Sequence, residues 1–204
     1  MYDVIVIGGG ASGMMAAGRA AERGRRVLLL EKNPLLGRKL AITGGGRCNI
    51  CNAQEDIHLL LAHYSEAKKF LYSSFSQFGV AQTFDFFEAH GLPLKVEAHQ
   101  RAFPVSEKAT DVVRVLKAYL QGGNVEVRTH ANVQGFAVAA GIIAGVKVNS
   151  ETLVAESYIL ATGGKSHPET GSTGDGFTWL KKLGHNVKEP TPAIAPLAVG
   201  EAWI

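Results

Sequence analysis

The 204-residue chain has few cysteines, no long apolar run and no marked excess of charge. Its two cysteines, Cys48 and Cys51, are too few for a disulfide scaffold. Its seven histidines are dispersed without H-E-x-x-H or paired ligand spacing, so no metal site is expected. No apolar run approaches the roughly 18 residues that a membrane-spanning helix needs, and the N-terminus shows no signal-peptide pattern. We therefore expect a cytoplasmic protein without a membrane partner.

The balance of charge argues against a surface that binds nucleic acid. The 21 Lys and Arg residues and the 18 Asp and Glu residues leave a net charge of +3. The basic residues occur in scattered pairs such as Arg25-Arg26 and Lys181-Lys182, which is typical of solvated faces. With 46% hydrophobic and 19% charged residues, the composition is ordinary for an α/β protein with one good core.

The chain opens with an apolar run followed at once by a glycine-rich turn. The run Tyr2–Ile7 does not alternate, which is typical of a strand buried on both faces of a parallel sheet. The residues Gly8–Gly13 fit the pattern G-x-G-x-x-G. In this pattern Gly8 allows the tight turn, Gly10 allows a pyrophosphate to approach the backbone, and Gly13 allows the helix to pack closely on the strand.

A helix and a second buried strand are predicted after the glycine turn. The N–H groups at the start of the helix favour an anion, and Gly24 is placed to end the helix. The strand Val27–Leu30 leads to Glu31, whose carboxylate is expected to accept hydrogen bonds from both hydroxyls of an adenosine ribose. An acid here favours FAD or NAD over NADP, because it would repel a 2′-phosphate. The alternative is a plain βαβ unit whose glycines serve only packing.

The stretch Lys32–Asn52 has almost no apolar periodicity and is rich in glycine and cations. A loop of this length inside a compact domain is usually functional. Its glycines allow backbone N–H groups to converge on a ligand. Arg38, Lys39 and Arg47 supply positive charge where the first turn would place a pyrophosphate. The alternative is a solvated basic loop without a ligand.

The run Gly37–Asn49, GRKLAITGGGRCN, closely resembles the motif G-R-K-x-x-x-T/S-G-G-G-R-C-N of a bacterial flavoprotein family, the aminoacetone-oxidase-like proteins related to bile-acid dehydro-reductases. Arg101–Pro104, Ala161–Gly164 with Gly171–Gly176, and Pro192–Leu197 match further segments in the family's order. The resemblance implies an α/β fold, a Rossmann-like FAD-binding domain of the glutathione-reductase type with a parallel central sheet and a β-meander. It also implies that FAD is the cofactor and that the matching loop wraps its diphosphate and ribityl region.

The expected cofactor-binding residues lie in the glycine turn, at the acid, in the glycine-rich loop and in the Ala-Thr-Gly-Gly run. This run follows the strand Tyr158–Leu160, which we expect to end beside the first turn. The resemblance also places backbone groups of Val133 at the adenine. No catalytic residue is predicted. The expected cofactor-binding residues are Gly8, Gly10, Ala11, Ser12, Gly13, Glu31, Lys32, Arg38, Lys39, Thr43, Gly44, Gly45, Gly46, Arg47, Cys48, Asn49, Val133, Ala161, Thr162, Gly163 and Gly164.

The middle of the chain predicts helices followed by a run of strands. Apolar residues recur at helical spacing through Gln54–Phe78, which predicts one long helix, or two with a break near Ser73, with the aromatic residues in the core. Ser106 with Glu107 is expected to cap a helix at Lys108–Leu120. The other predicted elements are a helix at Val80–His90, strands at Leu94–Glu97, Val125–Arg128, Asn132–Ala139, Ile142–Val148 and Thr152–Leu160, and a hairpin turn at Ala140-Gly141.

The members of the family that the chain resembles are about twice as long. They carry a substrate domain after the region that matches Pro192–Leu197, and a final segment that returns to the flavin site. We therefore expect residues 1–204 to be the N-terminal part of an FAD-binding domain, with weakened affinity for flavin. An exposed apolar patch is expected near Pro192–Ile204, where the missing half would pack.

A flavin supplies its own redox chemistry, so no Ser-His-Asp or paired-carboxylate site is required. Lys39 and Arg47 are expected either to neutralise the diphosphate or to stabilise anionic reduced flavin. Cys48 and Cys51 form a C-x-x-C sequence at the start of a predicted helix, where a thiolate would be stabilised. They are either a redox dithiol or, for Cys48, a phosphate-loop residue without a redox role. Arg101 either faces substrate or pairs with a surface acid.

Three functional interpretations remain open at this point. The first is an FAD-dependent oxidoreductase that passes hydride or electrons between flavin and a small-molecule substrate or NAD(P)H. The second is an NAD-binding Rossmann module without flavin, although such a site needs no second loop like Gly44–Asn49. The third is a non-catalytic fragment with a binding or structural role. The sequence names neither the substrate, nor the electron donor, nor the oligomeric state.

Overall fold

The computed structural model describes residues 1–192, which form α-helices, β-strands and short 3₁₀ segments. The helices are α1 (Ala11–Glu22), α2 (Ile57–Ala62), α3 (Lys68–Gln77), α4 (Val80–Ala89), α5 (Ala109–Gly122) and α6 (Asp175–Lys182). The strands are β1 (Tyr2–Ile7), β2 (Val27–Leu30), β3 (Cys51–Asn52), β4 (Leu94–Glu97), β5 (Arg101–Pro104), β6 (Glu126–Arg128), β7 (Val133–Ala139), β8 (Ile142–Val148), β9 (Glu151–Leu153) and β10 (Ala155–Leu160). The 3₁₀ segments are Leu40–Gly46, Ser65–Ala67, Ala98–Gln100 and Pro168–Thr170.

The central sheet is parallel and has the strand order β10-β1-β2-β6. Ile7 of β1 lies opposite Leu30 of β2 on one side and Leu160 of β10 on the other. All residues of β2 are buried, which is why its sequence is apolar without alternation. The predicted βαβ unit and the Rossmann-like parallel sheet are confirmed.

One face of the central sheet packs against α1 and α5. Val6 and Leu29 belong to the core cluster on this face, together with Leu116 of α5. The two helices approach closely, because a Cβ on Gly18 would lie only 2.1 Å from Cε1 of Tyr119. Glycine at this position therefore allows the packing that holds α1 behind the glycine turn.

The opposite face of the central sheet packs against the antiparallel sheet β7-β8-β9 and against α6. Ile5 and Leu28 share a core cluster with Val146 of β8 and Trp179 of α6. A further antiparallel sheet has the order β3-β5-β4. Since both faces of the central sheet are covered, its carboxyl edge is the place where the fold positions a ligand.

One predicted strand belongs to a different sheet from the one expected, and another predicted strand is divided into two. β6 was predicted as part of the meander but pairs with β2 in the parallel sheet. The predicted strand Thr152–Leu160 is divided, because β9 pairs with β8 and β10 pairs with β1. Local apolar patterns are the same for either sheet, so they did not distinguish the partners. The hairpin turn at Ala140-Gly141 is confirmed, with φ of 51° and 75°.

The prediction for Gln54–Phe78 was wrong in two respects. The chain forms two helices, but the break lies between Ala62 and Lys68 and not near Ser73. The aromatic residues were expected in the core, yet α3 has no buried residue and Phe70 is 84% exposed. Helical spacing shows that the apolar residues share a face, but it does not show that another element covers that face.

Ser106 and Glu107 do not cap α5, contrary to the prediction. The helix begins one residue later than expected, after Lys108, and no side chain caps it. Glu107 instead forms a salt bridge with Lys95 of β4. Apart from Pro192, the motif Pro192–Leu197 and the predicted apolar patch at Pro192–Ile204 lie outside the described residues.

Candidate functional site

The glycine turn lies at the carboxyl edge of the parallel sheet, beside a cavity of about 360 Å³. This volume is within the range of ligand pockets, about 300–1,000 Å³. A Cβ on Gly8, whose φ is +109°, would lie 2.4 Å from the carbonyl oxygen of Ala161. A Cβ on Gly13 would lie 1.8 Å from the carbonyl oxygen of Gly8. Glycine at both positions therefore allows the tight turn and brings α1 close to the ends of β1 and β10.

Gly10 has a different environment from Gly8 and Gly13. A Cβ on Gly10 would meet no atom within 4 Å. Gly10 is the N-cap residue of α1, no side chain caps the helix, and its first turn has no acidic residue. Ala11 and Ser12 at the start of this helix line the cavity. Free N–H groups and the helix dipole favour phosphate here, and the space beside Gly10 fits the diphosphate of a dinucleotide.

Glu31 is 8% exposed and lies in the wall of the cavity. Its Oε2 accepts a hydrogen bond from the backbone N–H of Gly9 at 2.7 Å. Its Oε1 accepts two, from the backbone N–H and from the side-chain amide of Asn33, both at 2.8 Å. A carboxylate has about four acceptor positions, so one is left, on Oε2. The prediction that Glu31 binds both ribose hydroxyls therefore requires the Asn33 amide to release Oε1.

The cationic residues after β2 reach across the cavity to the segment after β10. Lys32 Nζ donates to Asp175 Oδ2 at 3.1 Å, and Lys39 Nζ donates to the carbonyl oxygen of Ser166 at 3.1 Å. Arg38 Nη1 donates to Oδ1 of Asn33 at 3.1 Å. Among residues 1–192, Arg38 and Lys39 form no salt bridge, so their charge is available to an anionic ligand.

The segment after β10 and one residue of the meander complete the cavity wall. The cavity wall beside the glycine turn includes Ala161, Thr162 and Gly163. This is the position expected from the buried strand that precedes them. Val133 lines the cavity too, close to Trp179 of α6. The assignment of these residues to particular parts of the cofactor stays a prediction.

Several predicted residues do not line this cavity. Within Thr43–Asn49, the later part of the glycine-rich loop, Thr43 is the residue that lines the cavity. For the loop residues after Thr43, a role in cofactor binding stays a prediction. The predicted residues outside the cavity wall are Gly13, Gly44, Gly45, Gly46, Arg47, Cys48, Asn49 and Gly164.

Arg47 does not lie beside the expected diphosphate position in this structure. Its Nη1 is 3.1 Å from Oε1 and 3.2 Å from Oε2 of Glu97 on β4. Its guanidinium carbon lies 4.1 Å from the centre of the Phe103 ring on β5. These contacts with the antiparallel sheet β3-β5-β4 explain why the side chain is not at the cavity.

The prediction that Cys48 and Cys51 begin a helix was wrong. Cys48 is a buried loop residue with a φ of 63°, and Cys51 begins β3. Burial raises the pKa of both thiols, and no helix start is present to lower it. Both cysteines are free. These environments favour protonated thiols and give no support to the redox-dithiol alternative.

Arg101 does not form the expected pair with a surface acid within residues 1–192, and the alternative that it faces substrate stays a prediction. Its Nε donates to the carbonyl oxygen of Ala98 at 3.0 Å, and its guanidinium carbon is 5.9 Å from the centre of the Phe103 ring. It forms no salt bridge with any residue in 1–192, and it does not line the cavity.

The cavity has lining residues that were not among the predicted cofactor-binding residues. Asn33 and Leu40 lie within the basic loop, but nothing in the sequence distinguished them from their neighbours. Gly171 and Ser172 belong to a glycine-rich run that was noted without a role. Trp179 was not identified, because no helix was predicted at Asp175–Lys182. The complete set is Ile7, Gly9, Leu30, Asn33, Gly37, Leu40, Ala131, Thr170, Gly171, Ser172, Asp175 and Trp179.

Two features are absent from the part of the chain that the structure describes. None of its helices combines the length and the apolar sequence that crossing a bilayer requires. Within residues 1–192, no three His, Cys, Asp or Glu side chains are grouped so that they would hold a metal ion.

Two enzymes are similar to the chain along nearly all of its length. It is 32% identical over 202 residues to the 3-dehydro-bile acid delta(4,6)-reductase of Clostridium scindens, covering 98% of this chain and 48% of that protein. It is 30% identical over 199 residues to the ribosomal RNA dihydrouridine synthase of Escherichia coli, covering 97% of this chain and 48% of that protein. The chain thus spans about half the length of these relatives.

The fold is also found in a solved structure of much lower sequence identity. A flavocytochrome c3 fumarate reductase in an open conformation superposes with a TM-score of 0.61 at 21% identity, covering 89% of this chain and 40% of that one. At family level, residues 2–193 match the family described as the HI0933-like protein Rossmann domain. The chain belongs to the HI0933-like Rossmann domain family.

Proposed function

We propose that this chain is the FAD-binding part of a flavin-dependent oxidoreductase. The observation that carries the proposal is the open space beside Gly10, at an uncapped helix N-terminus, in the same cavity as the carboxylate of Glu31. A diphosphate next to a ribose needs this combination of donors and acceptor. The resemblance of Gly37–Asn49 to a flavoprotein motif supports FAD over NAD.

Each part of the adenosine diphosphate has candidate partners in the cavity wall. The N–H groups at Ala11 and Ser12 would bind the diphosphate, and the charge of Lys39 would compensate for it. Glu31 would accept a hydrogen bond from the ribose. Val133 and Trp179 offer an apolar surface for the base. FAD, when bound, supplies the hydride and electron transfer, and the protein positions it and excludes competing reactions.

For the whole protein we propose reduction of a carbon–carbon double bond in a ring. The names of both relatives describe this kind of change, one in the delta(4,6) bonds of a 3-dehydro-bile acid and the other in the formation of dihydrouridine. We propose a small organic molecule as the substrate and NAD(P)H as the reductant. The net charge of +3 and the scattered basic pairs favour a small molecule over RNA.

Binding of FAD is tested by the visible absorption of the protein after incubation with FAD and desalting. The matched variants are Gly10→Ala and Gly122→Ala, because a Cβ would meet no atom within 4 Å at either position and neither φ is positive. Both variants are expected to fold as well as the wild type. Gly10→Ala places a methyl group where the diphosphate would lie, so it should lose FAD while Gly122→Ala retains it.

Two results would contradict the proposed cofactor site. If Gly10→Ala retains as much FAD as Gly122→Ala, the flavin does not use this cavity. If the wild type retains no FAD but NAD protects it from thermal unfolding, the chain is an NAD-binding module. The substrate proposal is tested separately on the full-length protein, by comparing NAD(P)H oxidation with an unsaturated cyclic ketone and with a uridine-containing RNA.

A further inference from the structure

The glycine-rich loop has a backbone conformation that few residues adopt without strain. Gly44, Gly45 and Gly46 have φ values of 57°, 66° and 85°, and Cys48 has a φ of 63°. The left-handed region is open to glycine but costs other residues roughly 1–2 kcal/mol. Within the loop, the N–H of Cys48 donates to the carbonyl oxygen of Thr43 at 2.9 Å. A turn of this kind needs contacts outside itself to keep one conformation.

Arg47 supplies two of these outside contacts, in addition to the packing of Leu40–Gly46 on α5 and the burial of Cys48. Its ion pair with Glu97 joins the loop to β4, and its stacking on the buried Phe103 ring joins the loop to β5. Phe103 also lies beside the turn, since a Cβ on Gly44 would lie 3.2 Å from Cε1 of Phe103. Guanidinium groups are suited to this double role, because they are planar and combine ion pairing with stacking.

Neighbouring carboxylates compensate the positive charge of Arg47. Besides Glu97, Oε1 of Glu107 is 3.7 Å from its Nη1, and Lys95 contacts both carboxylates. The cluster therefore holds two cations and two carboxylates, and it is formally neutral. An arginine in a neutral cluster has little attraction left for a diphosphate.

We propose that Arg47 is a positioning residue that holds the turn Gly44–Gly46 on the antiparallel sheet through Glu97 and Phe103, and that it is not a phosphate ligand. By fixing this turn it also fixes Thr43, the loop residue that lines the cavity. Only the effect on cofactor affinity rests on the proposed function. The effect on the loop itself is independent of any ligand.

The loop is tested through the reactivity of Cys48, which is 2% exposed and follows Arg47 directly. In a Cys51→Ser background, Cys48 is the single thiol of the chain. Glu97→Gln and Arg47→Gln should each speed its reaction with a thiol reagent by about fivefold, the change that about 1 kcal/mol of local stability produces. The double variant should react no faster than Arg47→Gln alone, because Arg47→Gln already removes the pair with Glu97. Arg47→Lys keeps the charge and should restore part of the protection.

The control for these variants is Glu22→Gln, which removes a carboxylate from the Arg19–Glu22 pair on the surface of α1. It should leave the reactivity of Cys48 at the wild-type rate. Thermal unfolding of every variant separates local opening of the loop from global loss of stability. A rate that follows the melting temperature across all variants would overturn the proposal.

The effect of Glu97→Gln on FAD affinity distinguishes a positioning role of Arg47 from phosphate binding, because the two roles predict changes of opposite sign. If Arg47 positions the loop, Glu97→Gln and Arg47→Gln should both weaken FAD binding, and Arg47→Gln should weaken it at least as much because it also loses the contact with Phe103. If Arg47 is a phosphate ligand, Glu97→Gln frees it and should strengthen FAD binding, and this result would overturn the proposal. If the wild type binds no FAD, the proposed function fails while the thiol measurement still decides the role of Arg47.

Discussion

Glu31→Gln should destabilise the fold even when no cofactor is present. The carboxylate is buried and accepts hydrogen bonds from the N–H of Gly9, the N–H of Asn33 and the side-chain amide of Asn33. A glutamine has one carbonyl oxygen, and its NH₂ group must replace one of the two carboxylate oxygens. At the Oε2 position the NH₂ group would oppose the Gly9 donor, and at the Oε1 position it would oppose both Asn33 donors. At least one buried donor therefore loses its acceptor in either orientation.

The magnitude follows from the number of hydrogen bonds that are lost. The less costly orientation keeps the Asn33 bonds and loses the bond from Gly9. A hydrogen bond to a charged group contributes about 1.5–3 kcal/mol, so the free energy of unfolding should fall by about this amount. For a domain of this size about 1 kcal/mol corresponds to roughly 2–4 °C. The melting temperature should therefore fall by about 3–12 °C.

Thermal unfolding followed by circular dichroism measures this effect, with Glu22→Gln as the control. Glu22 is exposed and pairs with Arg19 on the same helix, so its loss should change stability by no more than about 0.5 kcal/mol. If Glu31→Gln melts within about 1 °C of the wild type, Glu31 does not hold the turn together, and the hydrogen bonds described for its carboxylate do not stabilise the fold. A fall in FAD affinity without a fall in stability would assign Glu31 to the ligand alone.

Two other predictions concern packing and the cysteines. Gly18→Ala should lower the free energy of unfolding by about 1–3 kcal/mol in urea titrations, because its Cβ would lie 2.1 Å from Cε1 of Tyr119, and the same substitution should cost less when it is made in a Tyr119→Ala background. An unchanged urea midpoint would contradict the close packing of α1 on α5. Burial raises the pKa of Cys48 and Cys51 above 9.0, so the folded chain retains protons that the unfolded chain releases. The free energy of unfolding should therefore fall as the pH rises above 9.0, and replacing both cysteines by serine should reduce that fall; equal pH dependence in both proteins would be evidence against it.

The fold could be predicted where neighbouring residues decide the structure. The apolar runs Tyr2–Ile7 and Val27–Leu30 became β1 and β2 within the predicted bounds, because burial on both faces removes alternation from the sequence itself. The turn Ala140-Gly141 was predictable for a similar reason, since two residues at positive φ close a hairpin locally. The exposure of α3 was not predictable, because an apolar face of a helix does not show whether another element packs against it.

The residues of the candidate site also fall into those that the sequence predicted and those that it did not. The glycine turn and Glu31 lie in one continuous stretch, and their spacing alone placed them together at the cavity. Asn33 and Trp179 are also in the cavity wall, but they lie 146 residues apart in the chain, and nothing in the sequence connects them. The glycine-rich loop was predicted to be functional, and the structure places Thr43 of that loop at the cavity.

The sequence by itself determined the βαβ unit, the sharp turn at Gly8 and the acid at the end of β2. These features depend on residues close together in the chain, whose burial and backbone angles leave one local solution. The tertiary structure decided that β6 pairs with β2, that Asn33 occupies Oε1 of Glu31, and that Arg47 pairs with Glu97. These are contacts between separate elements, and for each of them the same local sequence is compatible with many partners. Which partner is present depends on how the sheets and helices pack, and that is a property of the whole chain.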